Sequence, residues 1–197
     1  MAETKKVILD AGHGGTTDPG AVYQGRQEKN DNLRMALAVG QILSEDGVDV
    51  GYTRVQDVYQ SPLQKAQMAN NWEADYFVSF HRNAMPVPGT ASGTESLIFS
   101  RGGEAEQLAS NINAELGQAG WNDLGTTERP GLIVLRKTEM PAVLVEVGFL
   151  DNPEDNQRFD AHFEHTARAI ADGILNTLRS PEGQPEYSQI QVGAYAD

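Results

Sequence analysis

Short apolar runs recur along the chain, separated by longer stretches of helical periodicity. The first run, Val7-Ile-Leu, leads into Asp10-Ala-Gly-His-Gly-Gly, a pattern that predicts a buried strand followed by a glycine-rich loop. Residues 75–80 form a similar run that ends on His81, and residues 142–147 carry Glu146 near their end. Further strands are predicted over residues 48–53, 94–99 and 132–135.

Helical patterns fill the stretches between the predicted strands. Apolar residues recur at helical spacing from Glu28 to about residue 46, and Gly47 is suited to end that helix. Ser61, Pro62 and Gln64 form a capping-box pattern that predicts a helix start, with the helix running to about residue 72. Residues 82–93 are predicted to form a loop. The remaining predicted helices cover residues 104–116, a short segment opened by Asn152-Pro153, and residues 163–178.

This alternation predicts the α/β class: a single domain with a mostly parallel, twisted sheet of about six strands, flanked by helices on both faces. In open sheets of this kind, ligands bind at the carboxyl ends of the strands. His13, His81 and Glu146 all lie at or just after the ends of predicted strands. We therefore expect these three side chains to converge on one site.

Composition narrows the chemistry of that site. The chain has 197 residues, no cysteine and a formal net charge of -13. Disulfides and thiolate zinc sites are excluded, so a metal would need His, Asp or Glu ligands. The negative charge argues against a nucleic-acid partner and against adhesion to anionic lipid. No apolar run approaches the roughly 20 residues of a membrane helix, so no membrane partner is expected.

Two histidines and a glutamate are one of the ligand sets that catalytic zinc uses, with the fourth position left for water. His13, Glu28 and His81 could supply that set, and Glu146 could move the proton that amide hydrolysis requires. A structural role stays open for His13, which lies in a glycine-rich loop, and for Glu28, which could serve the helix dipole. Glu146 lies in an apolar run, where a carboxylate is costly unless it is paired or functional.

Other catalytic motifs fit poorly. The segment after the first strand lacks the third glycine of a dinucleotide-binding loop, and there is no Walker lysine. The chain contains neither His-Glu-x-x-His nor Gly-x-Ser-x-Gly. His162 and His165 are interpreted as residues of a helix surface. Asp18, Asp31 and Asp151 are interpreted as turn and cap residues.

Four ordered motifs resemble the zinc N-acetylmuramoyl-L-alanine amidases of the amidase-3 type. They are Val7-Ile-Leu-Asp-Ala-Gly-His-Gly-Gly with Asp18-Pro-Gly-Ala, Gln27-Glu-Lys-Asn-Asp-Asn-Leu, Ala74-Asp-Tyr-Phe-Val-Ser-Phe-His-Arg-Asn-Ala, and Val134-Leu-Arg-Lys-Thr-Glu-Met-Pro-Ala-Val-Leu-Val-Glu-Val-Gly-Phe-Leu. The resemblance runs from about residue 7 to residue 178. It implies one Zn²⁺ held by His13, Glu28 and His81, with Glu146 as the catalytic carboxylate.

The resemblance also implies the substrate, peptidoglycan, and the bond cut, the amide between N-acetylmuramic acid and the L-alanine of the stem peptide. Two alternatives stay open: a wall-binding module that does not cleave, and a zinc peptidase on a related sheet. Arg82 departs from the family pattern, and we expect it to contact substrate or to serve the surface. Asn83, Arg129 and Arg136 are further candidates for substrate contact.

The character of the chain changes near its end. We expect a catalytic domain over residues 1–179, a linker over 180–186 and, over 187–197, the start of a truncated sporulation-related repeat that binds peptidoglycan. The first residues lack a secretory apolar core. Either the chain is made without a signal peptide or one was removed. We expect a monomeric enzyme that acts on the cell wall, as an autolysin or a prophage lysin; made without a signal peptide, it would be released from the cytoplasm during lysis.

Overall fold

A six-stranded sheet forms the centre of the computed structural model, which describes residues 4–179. The predicted linker over 180–186 and the predicted repeat over 187–197 lie outside these residues. The strands in chain order are β1 (Lys6–Ala11), β2 (Val22–Tyr23), β3 (Arg26–Gln27), β4 (Asp49–Tyr52), β5 (Tyr76–Asn83), β6 (Thr94–Ile98), β7 (Asp123–Glu128) and β8 (Ala142–Phe149). The helices are α1 (Glu28–Glu45), α2 (Pro62–Asn71), α3 (Gly103–Gln118), α4 (Ile133–Arg136), α5 (Pro153–Ala161) and α6 (Phe163–Arg179).

The strand order across the sheet is β4-β1-β5-β8-β6-β7. All neighbouring pairs are parallel except β6 and β8, while β2 and β3 form a separate antiparallel hairpin. The loop of residues 84–93 explains the reversal, because ten residues without a helix can turn the chain back but cannot complete a parallel crossover. The predicted α/β fold with a mostly parallel sheet of about six strands is confirmed.

One predicted strand is wrong. Residues 132–135 are apolar, but this segment forms the short helix α4 instead. A four-residue apolar run cannot be assigned to strand or helix by periodicity alone. The sixth strand is β7, whose sequence Asp-Leu-Gly-Thr-Thr-Glu is polar because it lies at the edge of the sheet. Such a sequence lacks the apolar alternation that would have predicted it.

Helices cover both faces of the sheet, as predicted. The larger core packs α1, α3 and α6 against one face, and the smaller core places α2 and α4 on the other. The predicted capping box of α2 is present: the Ser61 hydroxyl accepts from the Gln64 N–H, and the Gln64 side chain accepts from the Ser61 N–H. Within residues 4–179, no helix is long and apolar enough to cross a membrane.

Candidate metal and catalytic site

His13, Glu28 and His81 come together at the carboxyl end of the sheet. His13 lies in the turn after β1, Glu28 is the first residue of α1, and His81 lies near the end of β5. Each offers a ligand atom, and the three atoms lie within 4.8 Å of one another. His13 has a φ of 60°, in the left-handed region that a non-glycine residue enters at an energetic cost. From this turn the His13 ring contacts Glu28.

The Glu28 carboxylate lies between the two imidazole rings. Its Oε2 is 3.3 Å from His13 Nε2, and its Oε1 is 2.8 Å from His81 Nδ1. The side chain is only 5% exposed. Backbone N–H groups of Ala21 and Arg82 also donate to it, at 2.8 and 3.1 Å. Glu28 is thus fixed toward the histidines, which a carboxylate serving only the helix dipole would not require.

Asp18 orients His13 from the other side. His13 Nδ1 lies 2.7 Å from Asp18 Oδ1, which directs Nε2 toward Glu28. A carboxylate behind an imidazole is a common partner of metal-binding histidines, because it fixes the tautomer and the ring orientation. The interpretation of Asp18 as a turn residue missed this contact. Asp18 lies only five residues after His13, but this spacing alone could not predict that the two side chains are in contact.

Electrostatics couple the three groups. Burial would lower the pKa of His13, but the hydrogen bond and charge of Glu28, followed by those of Asp18, raise it to about 9. Burial would raise the pKa of Glu28, but its contacts with His13 and His81 hold it far below the usual range. The cluster thus stabilises an ionised carboxylate next to a cation, which is the charge pattern that a bound metal ion would replace.

Glu146 lies beside this cluster on β8. It pairs with His81 in the parallel register of β5 and β8, and with Glu95 across β6. Its Oε2 is inaccessible to solvent and has no hydrogen-bond partner among residues 4–179. Burial raises the pKa of Glu146 to about 7; the charge of His81 opposes this rise, and those of Glu28 and Glu95 add to it. A carboxyl group with this pKa can both take up and release a proton near neutral pH.

A cavity of about 350 Å³ opens beside the histidines. His13, His81, Asp18 and the buried pair Asp10 and Lys65 line it together with apolar residues. The apolar lining consists of Pro62, Leu132, Ile133, Val134 and Leu144. A cavity that combines an apolar wall with a few convergent polar groups is typical of a small-molecule or peptide site.

A sequence model of the family described as N-acetylmuramoyl-L-alanine amidase matches residues 7–176. The chain belongs to this amidase family. It is therefore a hydrolase that acts on an amide bond of peptidoglycan, as the sequence motifs predict.

Known amidases and a phage endolysin resemble the chain over most of its length. It is 35% identical over 198 residues to the sporulation-specific N-acetylmuramoyl-L-alanine amidase of Bacillus subtilis strain 168, covering 96% of this chain and 75% of that protein. It is 36% identical over 185 residues to the endolysin of Bacillus phage SPP1, covering 89% of this chain and 66% of that protein. The solved N-acetylmuramoyl-L-alanine amidase of Clostridium difficile 630 superposes with a TM-score of 0.86 at 33% identity, covering 91% of this chain and 99% of that one.

Arg82 of this amidase was expected to contact substrate or to serve the surface, and both expectations are wrong. Its side chain is 1% exposed and pairs with Asp31 on α1, on the side of β5 opposite to His81. Successive side chains of a strand point to opposite faces, so the residue after an inward-facing histidine must point away from the cavity. Asp31, interpreted as a turn or cap residue, instead accepts from the Arg82 guanidinium at 2.6 Å.

The other candidates for substrate contact are not among the residues that line the cavity. Arg129 and Arg136 are exposed, and neither lines the cavity next to His13. Asn83 is half-buried at the end of β5, and its side chain accepts from the Ala84 N–H. His162 and His165 are exposed at the end of α5 and on α6, which agrees with their interpretation as helix-surface residues.

Proposed function

We propose that His13, Glu28 and His81 hold one zinc ion and that Glu146 is the catalytic carboxylate of this amidase. The observation that carries the proposal is the meeting of three ligand atoms within 4.8 Å, with Glu146 as the register partner of His81. The bond cut would be the amide between the lactyl group of N-acetylmuramic acid and the L-alanine of the stem peptide.

The residues present suit zinc. Two imidazoles and one carboxylate form a ligand set of catalytic zinc, and such a set leaves a position for water and substrate. Glu28 is buried and ionised between the two rings, so a cation would satisfy a charge that the fold already holds in place. Asp18 supplies the outer carboxylate that orients His13.

The proposed roles follow from the chemistry of amide hydrolysis. A bound zinc ion supplies Lewis acidity, which polarises a carbonyl and lowers the pKa of water. Glu146 takes one proton from the attacking water as the new C–O bond forms. It then passes that proton to the L-alanine nitrogen as the C–N bond breaks, which releases a carboxylic acid and an amine. A carboxyl whose pKa is raised to about 7 is suited to both halves of this transfer.

Product analysis tests the proposal. Purified protein is incubated with peptidoglycan, and the soluble products are analysed by mass spectrometry. We expect intact stem peptides with an L-alanine amino terminus. The active protein should contain about one zinc ion per chain. A chelator should stop the release of peptides, and added zinc should restore it. Peptides cut within the stem would support the zinc peptidase instead. Binding to the wall with no release, in zinc-loaded protein, would support a non-cleaving module and overturn the proposal.

We also infer that the enzyme acts as a monomer at the cell wall. All four proposed site residues come from one chain and meet within it, so the site needs no second subunit. Light scattering during size-exclusion chromatography tests the monomer, and an obligate dimer would contradict it.

The formal net charge of -13 further supports a partner that is not a nucleic acid.

A further inference from the structure

Arg82 is a buried cation directly next to a proposed metal ligand, and the amidase mechanism gives it no task. Its guanidinium donates to Asp31 on α1 at 2.6 Å and to Asn156 on α5 at 2.8 Å. It also lies over the ring of Phe159, 4.2 Å from the centroid. It also donates to the backbone carbonyls of Gly148 and Phe149 on β8, at 3.4 and 3.5 Å. The side chain is therefore held by two helices and a neighbouring strand, on the far side of β5 from the cavity.

The same residue contacts α1 at a second point. The Arg82 backbone N–H donates to Glu28 Oε1 at 3.1 Å, and the Arg82 side chain reaches Asp31 three residues further along the helix. Residues three apart lie on the same side of a helix. Besides the contact between the His81 ring and Glu28, the segment His81-Arg82 is thus attached to the first turn of α1 by one backbone bond and one ion pair. Those two elements carry His81 and Glu28.

A second arginine completes the cluster. Arg26, on the β2–β3 hairpin, donates to the same Asp31 Oδ2 at 2.7 Å and to both carboxylate oxygens of Asp160 at 2.8 Å. A buried ion pair is weak evidence for stability, since desolvation offsets much of its attraction. Its planar, multi-donor geometry can instead fix how two elements are placed, which a hydrophobic replacement would not do.

We infer that the Arg82–Asp31 pair is a positioning device for the proposed zinc site: it holds β5 against the first turn of α1 so that His81 and Glu28 face each other at binding distance. This inference rests on the proposed function. Arg82 is a positioning residue, since it contacts neither the cavity nor the substrate.

Zinc affinity, measured on the full chain by competition with a chromophoric chelator, tests the inference. R82K keeps the charge but loses the planar fork, and R82M loses both. We expect each to weaken zinc binding by about tenfold to a hundredfold, the usual effect of removing an outer partner of a metal site. D31N should weaken it as well. If Arg82 acted on the zinc ion only through its positive charge, R82M would strengthen zinc binding and R82K would leave it unchanged.

Controls separate positioning from general loss of stability. L116A removes a buried side chain of α3 in the larger core, and it should lower the Tm while leaving zinc affinity within about twofold. The free energy of zinc binding lost in the double variant R82M/D31N should be smaller than the sum of the losses in the two single variants, because both changes break the Arg82–Asp31 pair. If R82M does not fold, R82K and N156A, which removes one partner of the guanidinium, carry the test.

The outcomes distinguish this inference from the proposed function. If the unsubstituted protein binds no zinc, the proposed metal site is wrong. If it binds zinc, and R82K, R82M and D31N bind equally well, the metal site stands and the positioning role of Arg82 is wrong. The positioning role would also be wrong if zinc affinity fell in proportion to Tm in the Arg82 and Asp31 variants and fell in the same proportion in L116A.

Discussion

Glu146 and His81 are direct register partners in the parallel pairing of β8 with β5. Side chains of paired residues point to the same face of a sheet, so strand pairing alone brings the carboxylate next to the histidine. Glu95 continues this row as the antiparallel partner of Glu146, and the Thr127 hydroxyl donates to Glu95. The site thus has a rigid base, since its proposed proton carrier and one proposed ligand lie on neighbouring central strands.

E146Q should keep zinc and lose turnover. The amide is nearly isosteric with the carboxylate but cannot shuttle a proton, and such a loss typically lowers the rate by about 10²–10⁴. Zinc content and release of stem peptides, measured on the same preparation, check the expectation. E95Q makes the same change on the adjacent strand and should reduce the rate by less than about tenfold. A wild-type rate in zinc-loaded E146Q would remove Glu146 from the mechanism.

D18N should weaken zinc binding without abolishing the fold. The carboxylate that accepts from His13 Nδ1 is replaced by an amide. The amide nitrogen can donate to Nδ1 and so favour the tautomer whose proton is on Nε2, the nitrogen that faces Glu28. We expect a loss of about tenfold to a hundredfold in zinc affinity. D49N, an exposed change on β4, serves as the control and should leave the affinity unchanged. Equal affinities for the two variants would contradict a role for Asp18.

The sequence predicted the main features of the site because its signals are local. Apolar runs mark β1, β5 and β8, and each proposed site residue on them lies close to a strand end, where the topology of parallel sheets makes side chains converge. Glu28 could be assigned only by resemblance, because a glutamate at a helix start has an ordinary explanation.

The contacts that the sequence could not predict are between residues whose side-chain directions depend on tertiary structure. The aspartates Asp18 and Asp31 look like turn or cap residues, yet one orients His13 and the other accepts from two arginines. The sequence pattern places Arg82 in a loop, whereas β5 extends to Asn83 and turns the Arg82 side chain away from the cavity. The polar edge strand β7 carries too little apolar pattern to be recognised.

Zinc affinity should rise with pH between about 7 and 9. In the metal-free protein the pKa of His13 is raised to about 9, so the ring is protonated at neutral pH and must lose its proton to bind a metal. One released proton gives up to a tenfold gain in affinity per pH unit over that range, levelling off above pH 9. Calorimetric titrations in buffers of different ionisation enthalpy would count the proton. Affinity that is flat from pH 7 to 9 would contradict the protonated state of His13.

The raised pKa of His13 also makes the stability of the metal-free protein depend on pH. A raised histidine pKa adds stability that is fully present below the ordinary value of 6.5 and is lost as the pH rises through about 9. Chelated protein should therefore be easier to unfold with urea at pH 9.5 than at pH 6.5, by on the order of 1–3 kcal/mol. H13Q should remove most of that difference. A difference that persists in H13Q would assign the pH dependence to other groups.

Asp10 and Lys65, which line the cavity, form a buried ion pair. Lys65 Nζ lies 2.8 Å from Asp10 Oδ1, with side-chain exposures of 4% and 1%, and it also donates to the Ala11 carbonyl. Burial would raise the pKa of Asp10, but Lys65, followed by Ser79 and Thr53, lowers it below its ordinary value. The stability that this provides is present above pH 3.8 and is lost as the pH falls through the lower folded value.

K65M should consequently destabilise the protein strongly at pH 7, because it leaves the Asp10 carboxylate buried with only hydroxyl partners. Removing one partner of a buried pair typically costs about 3–5 kcal/mol. The double variant D10N/K65M should recover part of that loss, since the neutral amide can still bond Ser79 and Thr53. Urea unfolding of the three proteins at pH 7 gives the free energies. A loss of less than about 1 kcal/mol in K65M would contradict this expectation and would mean that Asp10 takes up a proton or reaches solvent. If Asp10 takes up a proton, the stability of K65M should rise between pH 7 and pH 5.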